Sequence, residues 1–183
     1  MMDRERALAL MRASTTKLNL QKHMLATEAI MRAIARRFGE DEELFGLVGL
    51  LHDLDYEQTV DRPAEHGLLA ADELAGRGYP PAVVAGVRAH NPANDRRETL
   101  LDRALHAVDP LTGLIVAAAL INPAKRLSAI DAAFVYNRMG EKGFARGANR
   151  EQIRSCEEFG LPLMEFLDLG LRAMQGIAEE LGL

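Results

Sequence analysis

The stretch Gly49-Leu50-Leu51-His52-Asp53-Leu54-Asp55 decides how this chain is read. Just upstream, Leu44, Leu47 and Val48 join Leu50 and Leu51 in a helical pattern that is apolar nearly all round, which marks a central buried helix. Its start at Asp41-Glu42-Glu43 places acidic side chains at the positive helix end. His52 and Asp53 arrive as this helix ends. A polar pair there must find partners or destabilise the fold, so the pair is the first sign of a binding site. An adjacent imidazole and carboxylate can offer Mn, Fe, Zn or Mg two ligands from one short segment.

Working outward, a helix over about 16–38 places Leu18, Leu25, Ala29, Ile30, Ala33 and Ile34 near helical spacing, with His23 beside the stripe. Ser14-Thr15-Thr16 is expected to cap it, and Gly39 to stop it. A short amphipathic helix covers 3–13. On the other side, 54–63 reads as a loop. A helix over about 64–76 carries His66 close to its start, and one over 81–90 carries His90 at its end. After a polar loop at 91–97, a helix over 98–108 delivers Asp109. Pro110 is expected to break or kink the chain there, with a separate apolar helix at 111–121. Residues 127–140, 149–159 and 162–182 read as three more helices bounded by glycine or proline. No repeat and no alternating strand pattern interrupts this. The fold class is all-α, with about eight or nine helices.

At 183 residues the chain is long enough for one domain with its own core. A net charge of -5 argues against a general nucleic-acid grip, which needs basic surface. The single cysteine, Cys156, excludes an intrachain disulfide, fits a reducing cytoplasm and reads as a structural thiol. The N-terminal Met-Met-Asp-Arg-Glu-Arg lacks a signal-peptide apolar run. The most apolar segment, 111–122, falls short of the roughly 20 residues a bilayer requires, so a core helix and no membrane partner are expected.

The ordered set His23, His52-Asp53, His66, His90 and Asp109 resembles the HD-domain superfamily of metal-dependent phosphohydrolases, in the subset with six ligands for a two-metal centre. The resemblance covers roughly 17–125, with helices of 126–183 expected to pack on that core in a single domain over 1–183. A looser likeness to small bacterial HD-domain hydrolases of unassigned substrate continues through 107–114 and 144–150, the latter segment reading as a lid or a helix cap.

The resemblance implies one or two divalent metal ions, of Mn, Fe, Zn, Mg, Ni or Co. His23, His52, Asp53 and Asp109 would hold one, and His66 and His90 would complete a second if Asp53 bridges, or would instead contact phosphate or hold a metal-bound water. His52 and Asp53 would be the catalytic pair. Two metals about 3.5–4 Å apart suit hydrolysis of a phosphate ester by a metal-activated water. The implied substrate is a nucleotide or another small phosphorylated metabolite. The alternative is a non-catalytic metal- or nucleotide-binding regulatory protein on the same fold.

One position departs from the pattern: several relatives carry a phosphate-contacting lysine where this chain has Tyr56, between Asp55 and Glu57. Those two carboxylates read as a solvated loop, with a general acid or base role for one of them as the alternative. Among the arginines near ligand-bearing helix ends, Arg88 is the first choice for substrate binding, since guanidinium suits bidentate phosphate contact. His106, one turn before Asp109, reads as structural.

Overall fold

In the computed structural model, which describes residues 4–183, every regular element is helical. In order these are α1 (Arg4–Ser14), α2 (Leu18–Phe38), α3 (Glu42–Leu51), α4 (Tyr56–Thr59), α5 (Leu68–Gly76), α6 (Pro81–Ala89), α7 (Leu100–Ile121), α8 (Ala132–Met139), α9 (Arg150–Arg154), α10 (Leu163–Gln175) and α11 (Ala178–Leu181). Three 3₁₀ turns, at Pro63–Glu65, Leu127–Ala129 and Ser155–Phe159, join them. The all-α reading holds. The excess over eight or nine helices comes from α4 and α11, single turns too short to leave a periodic pattern. Residue 3, the expected start of the first helix, lies outside the described residues.

The architecture is built on α2 against α3. Asp41 starts α3 by accepting a hydrogen bond from the Leu44 amide at 3.0 Å, as an N-cap should. Gly46 and Gly49 then turn one face to α2. A Cβ on Gly49 would lie 3.0 Å from the Glu28 Cα and from the Thr27 carbonyl oxygen, so any larger residue would push the two helices apart by a few tenths of an ångström. His52 continues the same face one turn on, which carries it to α2 at the level of His23. Helix α6 closes over α3, and α7 and α10 pack against α2. At Gly170 the C-terminal α10 presses on Leu111, Ile115 and Ile30, so the last third of the chain shares the core of the first.

Two local expectations change. Helix α2 begins at Leu18 with Lys17 as its N-cap and no side-chain cap from the serine-threonine run. The Thr15 hydroxyl turns back to the Met11 carbonyl instead, 2.7 Å away. Glu57 takes the capping role from a distance, accepting from the Thr16 and Lys17 amides at 3.0 and 2.8 Å and from the Thr16 hydroxyl. The predicted helix at 64–76 is split: Gly67, at φ 77°, separates the 3₁₀ turn from α5 and leaves His66 between them.

The larger correction is at Pro110. The helix runs unbroken through it from Leu100 to Ile121. Proline has no N–H to give the carbonyl four residues back and costs a helix interior about 3 kcal/mol when nothing compensates. Here that carbonyl belongs to His106, and the Gln152 side-chain amide of α9 donates to it at 3.2 Å. A tertiary partner replaces the missing bond. The continuous α7 has 22 residues, so by length and composition it is long and apolar enough to cross a bilayer, unlike the 111–122 segment taken alone. It is a core helix: Leu105, Val108, Leu111, Leu114 and Ile115 are buried in the fold.

Candidate metal centre

Three helix ends and two helix interiors converge on Asp53. His23 comes from α2, His52 and Asp53 from the end of α3, His66 from the turn before α5, His90 from the end of α6, and Asp109 from α7. The Asp53 carboxylate sits among them, with Oδ1 3.5 Å from His52 Nε2, 3.2 Å from His66 Nε2 and 3.4 Å from His90 Nε2. Its Oδ2 faces His23 Nε2 at 3.5 Å. His23 Nε2 is also 3.2 Å from His52 Nε2 and 3.2 Å from Asp109 Oδ1. All six residues singled out in the sequence are therefore brought together.

The far side of three imidazoles is tied down. His52 Nδ1 donates to the Gly49 carbonyl at 2.8 Å, which leaves the Nε2 lone pair free. His23 Nδ1 meets the Thr112 hydroxyl at 2.8 Å. That hydroxyl spends its proton on the Asp109 carbonyl, 2.9 Å away, so the imidazole is the donor and its Nε2 again faces the centre. His66 Nδ1 donates to Asp55 at 2.8 Å. Ligating histidines are normally held this way, by a carbonyl or carboxylate on the other nitrogen. In two groups, His23, His52 and Asp109, and His52, Asp53 and His90, the candidate ligand atoms lie within 4.8 Å of one another. The donor set of imidazole nitrogens and carboxylate oxygens fits a divalent metal of the first transition row.

The electrostatics favour a charged carboxylate core. Burial works against ionised Asp53, but the histidines packed around it, His52 first, and hydrogen bonds from His66 and His90 outweigh it and hold the carboxyl well below its ordinary range. Asp109 is likewise lowered, burial being overcome by His23. Burial pushes His52 down to about 4, so it is a neutral imidazole at neutral pH, the form a metal needs. His66 moves the other way, to about 9, because hydrogen bonds to Asp53 and Asp55 exceed the cost of burial. His23 is also raised: Asp109 and Asp53 overcome its burial.

His23, Asp53, His66, His90 and Asp109 line the floor of a cavity of about 1030 Å³, while His52 is fully buried. Its walls include Lys17, Leu18, Tyr56, Arg97, His106 and Gln152. Tyr56 stands edge-on to His66, ring centres 5.7 Å apart. Arg88 is not part of the cavity. It is exposed and pairs with Asp72 at 2.6 Å, because two residues along a helix is a turn of about 200°, away from the face that His90 presents.

Asp55 overturns its reading as solvated loop. It is 2% exposed, and its carboxylate also accepts from the Gly67 amide at 3.1 Å and the Ala70 amide at 2.9 Å. It thus starts α5 and aims His66 in one stroke. Nothing in its spacing gives this away, since the amides it meets lie 12 and 15 residues on. Thr112 was also missed, although a hydroxyl three residues after Asp109 in an apolar run is a readable signal.

Comparison with known families finds a match to the HD domain over residues 20–132, which spans the whole ligand set. No curated protein and no solved structure matches the chain. With more than half of its length matched, the chain belongs to the HD-domain family.

Proposed function

We propose that the chain is a metal-dependent phosphohydrolase that cleaves a phosphate ester of a nucleotide or another small phosphorylated metabolite. The observation that carries this reading is the Asp53 carboxylate, set between four histidine Nε2 atoms with Asp109 beside them. His23, His52, Asp53 and Asp109 would hold one divalent ion, and His66 and His90, next to Asp53, would hold a second. Bound there, such ions activate water and offset the charge that develops on the phosphoryl oxygens.

The rest falls to the chain's own residues. Lys17 and Arg97 are the cations on the cavity wall and draw an anionic substrate toward the floor. Leu18 and Tyr56, 63% and 41% exposed, give its less polar part a surface to lie against. The cavity volume suits a nucleotide-sized ligand. The same reading takes 1–183 as a single domain, a small molecule rather than nucleic acid or membrane as partner, and the cytoplasm as compartment.

The test is metal content per chain by elemental analysis, followed by a phosphoester panel under the metal found. Two equivalents with turnover support the two-ion reading, and one equivalent assigns His66 and His90 to substrate. The double variant His52→Ala, Asp53→Ala is expected to lose both metal and turnover. Metal uptake without hydrolysis of any compound would instead select the regulatory alternative.

A further inference from the structure

The proline that does not break α7 has a consequence on the cavity wall. Pro110 leaves the His106 carbonyl without its helical partner, and Gln152 supplies one. A carbonyl oxygen can only accept, so the Gln152 group facing it is the NH₂. The same nitrogen lies 3.0 Å from His106 Nδ1. Its two hydrogens serve both contacts, which makes Nδ1 an acceptor and puts the ring proton on Nε2. His106 Nε2 has no protein partner among the described residues, while His106 and Gln152 both line the cavity above Asp53 and Asp109.

We propose that His106 is a substrate-binding residue, a neutral Nε2–H donor to a phosphate oxygen, with Gln152 the positioning residue that sets its tautomer. The assignment rests on the phosphohydrolase reading and adds a contact outside the metal ligands. A neutral donor suits this wall: it recognises an acceptor oxygen without adding a third cation to Lys17 and Arg97. Burial, with Arg97 nearby, pushes the imidazole down to about 4, so the ring stays neutral at working pH. Gln152 also borders a second cavity of about 350 Å³ beside His23, Asp109 and Ala145–Ala148, which ties the wall to the loop after α8. Arg150 ties that loop to α9 by donating to the carbonyls of Phe144, Ala145 and Ala148 at 2.5–2.7 Å.

The experiment is calorimetric titration of manganese-loaded protein with inorganic phosphate, for the parent, His106→Phe and His106→Gln. Nitrogen-15 NMR of the imidazoles, in the parent and in Gln152→Leu, reads the tautomer. Loss of one hydrogen bond to a charged oxygen is worth about tenfold or more in affinity. His106→Phe is expected to weaken phosphate by that factor at unchanged metal content, and His106→Gln, which keeps an N–H, to recover much of it. His106 is expected as the Nε2–H form in the parent and as a tautomer mixture in Gln152→Leu. An Nδ1–H ring in the parent overturns the proposal. Equal phosphate affinity in parent and both variants overturns it alone. A parent that takes up metal and binds no phosphate overturns it together with the phosphohydrolase reading.

Discussion

Replacing Asp55 by asparagine tests whether the second carboxylate after the histidine-aspartate pair is built into the centre. In the parent, Oδ1 accepts from His66 Nδ1 and the Gly67 amide, and Oδ2 accepts from the Ala70 amide. Asparagine has one oxygen. If it serves His66 and Gly67, its NH₂ points at the Ala70 N–H; flipped, it points at the other two. At least one buried donor loses its acceptor, at about 1–3 kcal/mol, and the surviving bonds lose their charge assistance at roughly 1 kcal/mol each. The expected loss is about 3 kcal/mol, or roughly 6–12 °C in Tm for a chain of this length. With His66 no longer aimed by a carboxylate, metal affinity is expected to fall about 10–100-fold.

Thermal unfolding with chelator reads the first effect, and metal titration of the folded protein reads the second. The Asp55 carboxyl is held below its ordinary value of 3.8, burial being outweighed by His66 and the two amides. Its contribution is therefore present above that pH and lost as pH falls through the depressed value. The gap between parent and variant should narrow under acid. A variant within about a degree of the parent at pH 7, with unchanged metal affinity, would refute the reasoning, since a buried donor cannot lose its acceptor at no cost.

Gly49→Ala is expected to lower stability by about 1 kcal/mol, overpacking of about 1–3 kcal/mol exceeding the gain of about 1 from helix propensity. Gly113→Ala, at an open position of α7, is expected to raise stability by about that gain, so opposite shifts in denaturant midpoint check the pair. Cys156 is fully buried, and burial pushes its thiol up to about 12, so it should resist iodoacetamide at pH 8 until the chain unfolds. Because the folded thiol keeps its proton to higher pH than the ordinary 9.0, stability should hold below pH 9 and decline as pH rises through 12, as alkaline unfolding would read.

Much of the fold and of the centre is legible in the sequence because both rest on local rules. Apolar periodicity places α2, α3, α6 and α10, with Gly39 stopping α2 and the acidic Asp41-Glu42-Glu43 starting α3. The spacing of His23, His52, Asp53, His66, His90 and Asp109 carries the family resemblance, and all six meet in space. What escaped lies in long-range partners. Asp55 reads as loop until the Gly67 and Ala70 amides arrive. Glu57 replaces a local serine-threonine cap from 40 residues away. Pro110 obeys its own chemistry, yet the break does not occur, because Gln152 supplies the hydrogen bond that proline cannot. The sequence alone determined the all-α class, the place of most helices and which side chains are candidates for a metal. Tertiary structure decided how their far nitrogens are held and what fills the wall above them. The reason is physical: periodicity is set by neighbours within a turn or two, whereas a buried polar group is satisfied by whatever the fold brings to it.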